Sequence, residues 1–134
     1  MIHSTSESPP YRTQFSDGVH QGVADTTADK GGGGSGFRPH DLLEASLATC
    51  VNITVRMYAD SRAIPLRAVT TRVSMDYSRP EEVVFRYEVD FDGDLTAEQK
   101  GKLHEAAKAC AIRRILLRKI RFESEGDASR PATA

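Results

Sequence analysis

Cys50 and Cys110 are the side chains with the most chemistry to offer in this chain of 134 residues. A thiol can be a nucleophile, a redox centre, a metal ligand or half of a staple, and spacing sorts among these. No C-x-x-C is present, which removes a thioredoxin-type motif and half a zinc ribbon. Structural zinc takes four Cys or His ligands, usually in closely spaced pairs, whereas His3, His20, His40 and His104 are scattered singly. No metal or other cofactor is therefore expected. Two cysteines are also sparse for an extracellular disulfide framework, and neither a signal peptide nor a long apolar segment precedes the body. The expectation is a cytoplasmic protein with free thiols.

A reactive thiol needs its pKa lowered, usually by a nearby cation. Arg12, Arg38, Arg113 and Arg114 are the candidates, the last two standing three and four residues after Cys110. On a continuous helix that spacing would let them face it. Both cysteines lie in apolar, helix-like stretches, where an inert packing cysteine is also found.

The elements that must carry these thiols are legible from local pattern. Pro39 suits the first turn of a helix, with Asp41 and Glu44 near its positive end. Leu43, Leu47, Cys50, Val51, Thr54 and Tyr58 then recur at steps of three and four, giving one stripe with Cys50 in its middle. Leu42, Ala45, Ala48, Ile53 and Met57 make much of the remaining circumference apolar, which predicts a helix covered on more than one side. Running to about Ser61, it would span roughly 35 Å at about 1.5 Å per residue.

Two strands follow. Val69, Thr71, Val73, Met75 and Tyr77 alternate with polar residues, and after Ser78-Arg79-Pro80 so do Val83, Phe85, Tyr87, Val89 and Phe91. Such alternation predicts an antiparallel hairpin with one buried face. Thr96-Ala-Glu-Gln99 is a capping box that opens a second helix, with Leu103, Ala107 and Cys110 on one face. Ile112 to Leu117 continues or restarts that helix, and Ile120 to Phe122 is a candidate final strand. Upstream, Tyr11 to Phe15 and Val19 to Ala24 flank Asp17-Gly18 as a small hairpin. Residues 31–36, Gly-Gly-Gly-Gly-Ser-Gly, satisfy G-x-G-x-x-G only as any glycine run does and read as a mobile connector. The expected organisation is a tail over 1–10, one domain over 11–123 and a second tail over 124–134.

Composition sets limits on partners. With 18 basic and 19 acidic side chains the formal charge is -1, so neither nucleic acid nor a membrane is an expected partner. An apolar content of 39% without tryptophan supports a modest core.

Gly36-Phe-Arg-Pro39-His-Asp41-Leu-Leu43, then Ala45-Ser-Leu-Ala-Thr-Cys50, with Ala109-Cys110 sixty residues on and basic residues at Arg113 and Arg114, resembles the OsmC/Ohr family. The order of elements agrees over about residues 11–123. The resemblance implies an α+β fold: antiparallel sheets packed on a long central helix and a second Cys-bearing helix, in an intertwined homodimer that brings the thiols together. It implies a thiol peroxidase in which Cys50 attacks an organic hydroperoxide, Cys110 resolves the sulfenic acid to a disulfide, and a dithiol reductant restores the pair. The other outcomes compatible with the pattern are a non-catalytic module binding a hydrophobic small molecule at the dimer interface and a thiol redox sensor.

Three positions depart from the pattern. The glutamate that stands ten residues before the first cysteine in the organic hydroperoxide enzymes is His40 here, a proton carrier or a surface residue. The nearest carboxylate is Asp41, an orienting acceptor or a first-turn helix acid. Arg12, the one arginine of the N-terminal strands, is the candidate for the family's activating arginine, with Arg38 its rival. Lastly, Ala111 follows the second cysteine where proline is common.

Overall fold

The computed structural model of the chain describes residues 1–8 and 11–126. Most of the expected C-terminal tail, residues 127–134, lies outside the described residues. The architecture is α+β, with two antiparallel sheets and three α-helices among the described residues. A three-stranded sheet, β1(His3–Ser6), β2(Thr13–Ser16) and β3(Gln21–Ala24), precedes the long helix α1(Pro39–Ser61). The hairpin β4(Leu66–Arg79) and β5(Glu82–Gly93) follows, then α2(Ala97–Ala107) and α3(Ala111–Leu116).

The body forms where the patterns said it would. Pro39 opens α1, and Asp41 reaches back to the Arg38 N–H (2.9 Å), satisfying a donor the helix cannot use itself. Leu47, Val51, Val55 and Ala59, four residues apart, are its buried line. Val69 pairs with Phe91, Thr71 with Val89 and Met75 with Phe85, so the predicted alternating faces meet in register. Val69, Val73, Phe85, Val89 and Phe91 pack against the core that α1 shares with Ile64, Leu66, Leu103, Ala107 and Cys110.

Side chains of α1 hold it along the outer edge of β4. Glu44 accepts from the Met75 N–H (2.8 Å), Asn52 from the Thr71 hydroxyl (2.7 Å), and Arg56 donates to the carbonyls of Leu66 (2.6 Å) and Arg67 (3.0 Å). These bonds cover an edge that would otherwise present unpaired backbone groups. One face of the helix is left open, however, where Leu43, Ile53 and Met57 are exposed. The all-round apolar pattern of α1 thus exceeds what this chain buries.

Four sequence expectations are corrected. Residues 3–6 are not part of a loose tail but a strand paired with β2, His3 opposite Ser16 and Ser6 opposite Thr13. The signal was hidden because all four side chains are polar and exposed, so no apolar alternation marks the strand. The glycine loop is not a free connector either. Asp25 is 4% exposed and accepts from the Thr26 N–H (2.7 Å), the Ser35 N–H (3.1 Å) and the Ser35 hydroxyl (2.8 Å), while Gly32 and Gly34 donate to Thr27 and Thr26. Third, α2 ends at Ala107 and Cys110 is the N-cap of a separate α3, so Cys110 does not ride on the face of α2. Finally, Ile120 to Phe122 form no strand within the chain. The predicted hairpin over 11–24 is present as β2–β3, turning where Gly18 adopts a φ of 100°.

Candidate active site

Cys50 sits mid-way along α1, and the break between α2 and α3 brings Cys110 against it. Both thiols are free, Cys110 fully buried and Cys50 partly accessible. Cys50 packs against the core cluster that contains Cys110, and each thiol biases the protonation of the other. Because Cys110 caps α3, the first-turn N–H groups of that helix have no carbonyl partner and turn toward sulfur instead. The Ile112 and Ala111 N–H groups favour charge on Cys50, and those of Arg113 and Ile112 favour it on Cys110.

This arrangement separates the thiols electrostatically. Burial pushes the Cys50 thiol up and is the largest single influence on it. The Cys110 side chain, the Ile112 and Ala111 N–H groups and the Thr54 hydroxyl together outweigh burial, leaving Cys50 below an ordinary cysteine. Burial pushes Cys110 up as well, and its contact with Cys50 pushes it further; the Arg113 and Ile112 N–H groups oppose this without overcoming it. The accessible sulfur therefore loses its proton first, and the buried one keeps it.

Thr54 was not singled out from sequence. One turn after Cys50, its hydroxyl donates to the Cys50 carbonyl (2.8 Å) and lies against the thiol. The i, i+4 spacing on the apolar stripe was the available signal. Backbone donors at Ala111 and Ile112 have no such signature in residue type. Thr54 also lines a shallow cavity of about 520 Å³ between α1 and α2, with Tyr58, Gly101, Ala106 and Ala109.

The expected auxiliary residues stand elsewhere. Asp41 is nine residues from Cys50 on one helix, about 13 Å along its axis at about 1.5 Å per residue. It accepts from Arg38 Nη2 (2.7 Å) and Nε (3.1 Å), and Arg38 holds its carboxyl below the usual carboxylate range. Arg12 is bonded to Glu7 (2.7 Å) and to the Ser35 hydroxyl (3.5 Å) in the N-terminal sheet. Arg113 acts on Cys110 through its backbone N–H. His40 stacks on Tyr77 with ring centroids 4.9 Å apart. Among the described residues no group of three or more His, Cys, Asp or Glu side chains is placed to hold a metal ion.

The fold is shared with solved structures of low sequence identity. An OsmC like protein from Mycoplasma pneumoniae superposes with a TM-score of 0.73 at 15% identity, covering 87% of this chain and 85% of that one. A Psychrobacter arcticus protein described as an osmotic stress induced and detoxification response protein gives 0.72 at 22% identity, with 85% of each chain covered. The organic hydroperoxide resistance protein OhrB of Bacillus subtilis gives 0.63 at 18%, covering 87% and 89%. No curated protein matches the chain by sequence. The family model for OsmC-like protein matches residues 32–125, which span α1, the β4–β5 hairpin and both cysteines. With this match over more than half its length, the chain belongs to the OsmC-like protein family.

Proposed function

We propose that this chain is a thiol peroxidase that reduces organic hydroperoxides and acts as a homodimer. The observation that carries this reading is the division of labour between the sulfurs: an accessible Cys50 below the ordinary thiol range, in contact with a buried Cys110 above it. The Cys50 thiolate attacks the distal oxygen of the hydroperoxide and breaks the O–O bond. Cys50 becomes a sulfenic acid, and the departing alkoxide takes up a proton to leave as an alcohol. Cys110, as a thiolate, then attacks the Cys50 sulfur; a disulfide forms and the hydroxyl leaves as water. An external dithiol returns both sulfurs to thiols by exchange. The apolar residues around Cys50 favour an organic substrate over hydrogen peroxide.

Two further parts of the reading rest on the same fold. The N-terminal sheet makes little contact with the helices of its own chain, and α1 leaves Leu43, Ile53 and Met57 exposed. A second copy would cover both, and in it Arg12, held by Glu7, is proposed to approach a thiol from across the interface. Asp41 is proposed to act indirectly, by fixing Arg38 at the start of α1.

Intact mass after one equivalent of cumene hydroperoxide tests the chemistry. Wild type is expected to lose two hydrogens as the disulfide forms, and Cys110→Ser to show a dimedone-trappable sulfenic acid. Cys50→Ser is expected to give neither and to show no dithiol-dependent turnover. Equal, slow peroxide loss in wild type and Cys50→Ser overturns the reading.

The cavity between α1 and α2 favours a second reading, a module that binds a hydrophobic small molecule without turnover. Alkylation of Cys50 across pH separates the two: a midpoint at or above about 8.5, the unperturbed thiol value, supports the binding module.

A further inference from the structure

Cleaving a hydroperoxide requires a proton at the oxygen that leaves, and the source of that proton is open in the scheme above. Arg12, even brought across an interface, can hold negative charge but does not surrender a proton. His40 lies against Tyr77, ten residues before Cys50. Cys110 is fully buried and keeps its proton. Thr54 stands closer. Its hydroxyl donates to the Cys50 carbonyl (2.8 Å), and Cβ atoms so spaced on a helix are about 5–6 Å apart. The bond itself is ordinary for a helical threonine, since Thr49 makes the same one to the Ala45 carbonyl (2.7 Å). What distinguishes Thr54 is the thiol beside its oxygen, whose charged form the hydroxyl favours.

A threonine hydroxyl has one proton to give and two lone pairs that accept. In the resting chain the proton is turned to the Cys50 carbonyl, which leaves the oxygen able to accept. That carbonyl lies inside α1, where the helix supplies its own donor, so releasing the hydroxyl does not orphan it. A hydroperoxide whose distal oxygen reaches the Cys50 sulfur also comes within reach of Thr54 Oγ1, because one turn of helix fixes both. A second copy over the site can narrow the approach but cannot part the two side chains. Cys50 packs against the apolar core, and an alkoxide expelled there without a proton is an unpaired charge in poor solvent. Thr54 is too weak an acid to give up its proton outright, yet it can pass one on while it receives another.

We propose that Thr54 is a proton relay for cleavage of the O–O bond, a role that rests on the peroxidase reading. As the Cys50 thiolate attacks the distal oxygen, the S–O bond forms and the O–O bond breaks. Thr54 accepts the proton of the distal oxygen, and its own proton passes to the departing oxygen, which leaves as an alcohol. Cys50 is left as a sulfenate and becomes the sulfenic acid by taking up the proton its thiol released on ionising. A percarboxylic acid expels a carboxylate, which needs no proton, so the leaving group tests the relay. Cys50 oxidation is followed by rapid quench and intact mass in the full chain, above the Cys50 alkylation midpoint of each variant. With cumene hydroperoxide it should slow about a hundredfold in Thr54→Val, and Thr54→Ser should restore it. With peracetic acid, and in alkylation by iodoacetamide, Thr54→Val should match wild type. Thr54→Ala should repeat the pattern without the shape of valine. Unchanged oxidation by cumene hydroperoxide in Thr54→Val overturns the relay, since solvent then supplies the proton. Equal slowing with both peroxides overturns it too, by making Thr54 an orienting or packing residue. Wild type that is alkylated at Cys50 but oxidised by neither peroxide overturns the peroxidase reading itself, and the relay with it.

Discussion

The body built from α1, β4, β5 and α2 supplies nearly all of the main core cluster, whereas the N-terminal sheet of β1 to β3 buries Ala24 and Asp25 and little else. Apolar burial is the larger stabilising term per residue, and it is concentrated in one region. The sheet is held largely by polar fastenings instead, Arg12 on Glu7 and the loop wound on Asp25, with the Phe15 ring laid over Gly22 as its one close apolar contact. Helices packed over a dry core keep two sulfurs in register, while a sheet with little core of its own is free to rest on another surface. Under the proposed function, the thiols would lie in the first region and the proposed auxiliary Arg12 in the second.

Truncating a core side chain sets this contrast at its widest. Leu103 is fully buried, so Leu103→Ala should lower unfolding free energy by about 3 kcal/mol through lost transfer energy and a cavity. Phe15→Ala, in the sheet, should change it by less than about 1 kcal/mol because the ring is only half buried. Urea midpoints for the two variants decide the matter. Equal shifts would mean that the sheet and body unfold as one unit, and the distinction between them would fail.

Acid should find the sheet first. The Ser35 N–H and hydroxyl hold the Asp25 carboxyl below the usual carboxylate range, against the opposing effect of burial. A carboxyl depressed on folding stabilises the native state fully above its unfolded value of about 3.9, and that contribution is lost as pH falls through the folded value. Protection of the amides in residues 31–36, taken relative to the intrinsic exchange rate at each pH, should therefore fall below about pH 4 while the amides of α1 stay protected. Asp25→Asn should show the lowered protection already at neutral pH, with no further change on acidification. Protection of the loop that is unaffected by pH would remove the polar fastening from the account.

The same division governed what could be read in advance. The α1 stripe, the strand alternation of β4 and β5 and the Thr96–Gln99 box are local patterns, and each became the element it predicted. β1 has no apolar face to betray it, and Asp25 is a lone acid whose partners stand ten residues away. At the site, the cysteine pair was legible but its surroundings were not. The alanine-rich run around Cys110 has no glycine or proline, so the sequence left open whether the helix continues or restarts there, and the turn at 108–110 that frees the Ala111 and Ile112 N–H groups left no trace in residue type. Arg113 and Arg114 were singled out for charge, and of the two the Arg113 backbone supplies the contact.

The smallest effect concerns the packing partner of the thiol-bearing helix. Gly101 lies inside α2, where glycine costs roughly 0.5–1 kcal/mol relative to alanine through backbone entropy. A Cβ added there meets nothing within 4 Å, because the position opens onto the cavity beside Thr54 and Tyr58. Gly101→Ala should therefore stabilise the chain by about 0.5–1 kcal/mol, read as a rise in the urea midpoint without a change in slope. It should leave peroxide turnover unchanged, since one methyl group at that edge does not approach either sulfur. Stabilisation accompanied by slower turnover of a bulky hydroperoxide, with small hydroperoxides unaffected, would instead show that the cavity holds the substrate's apolar part. The body that carries the two thiols would then shape the specificity of the proposed reaction as well.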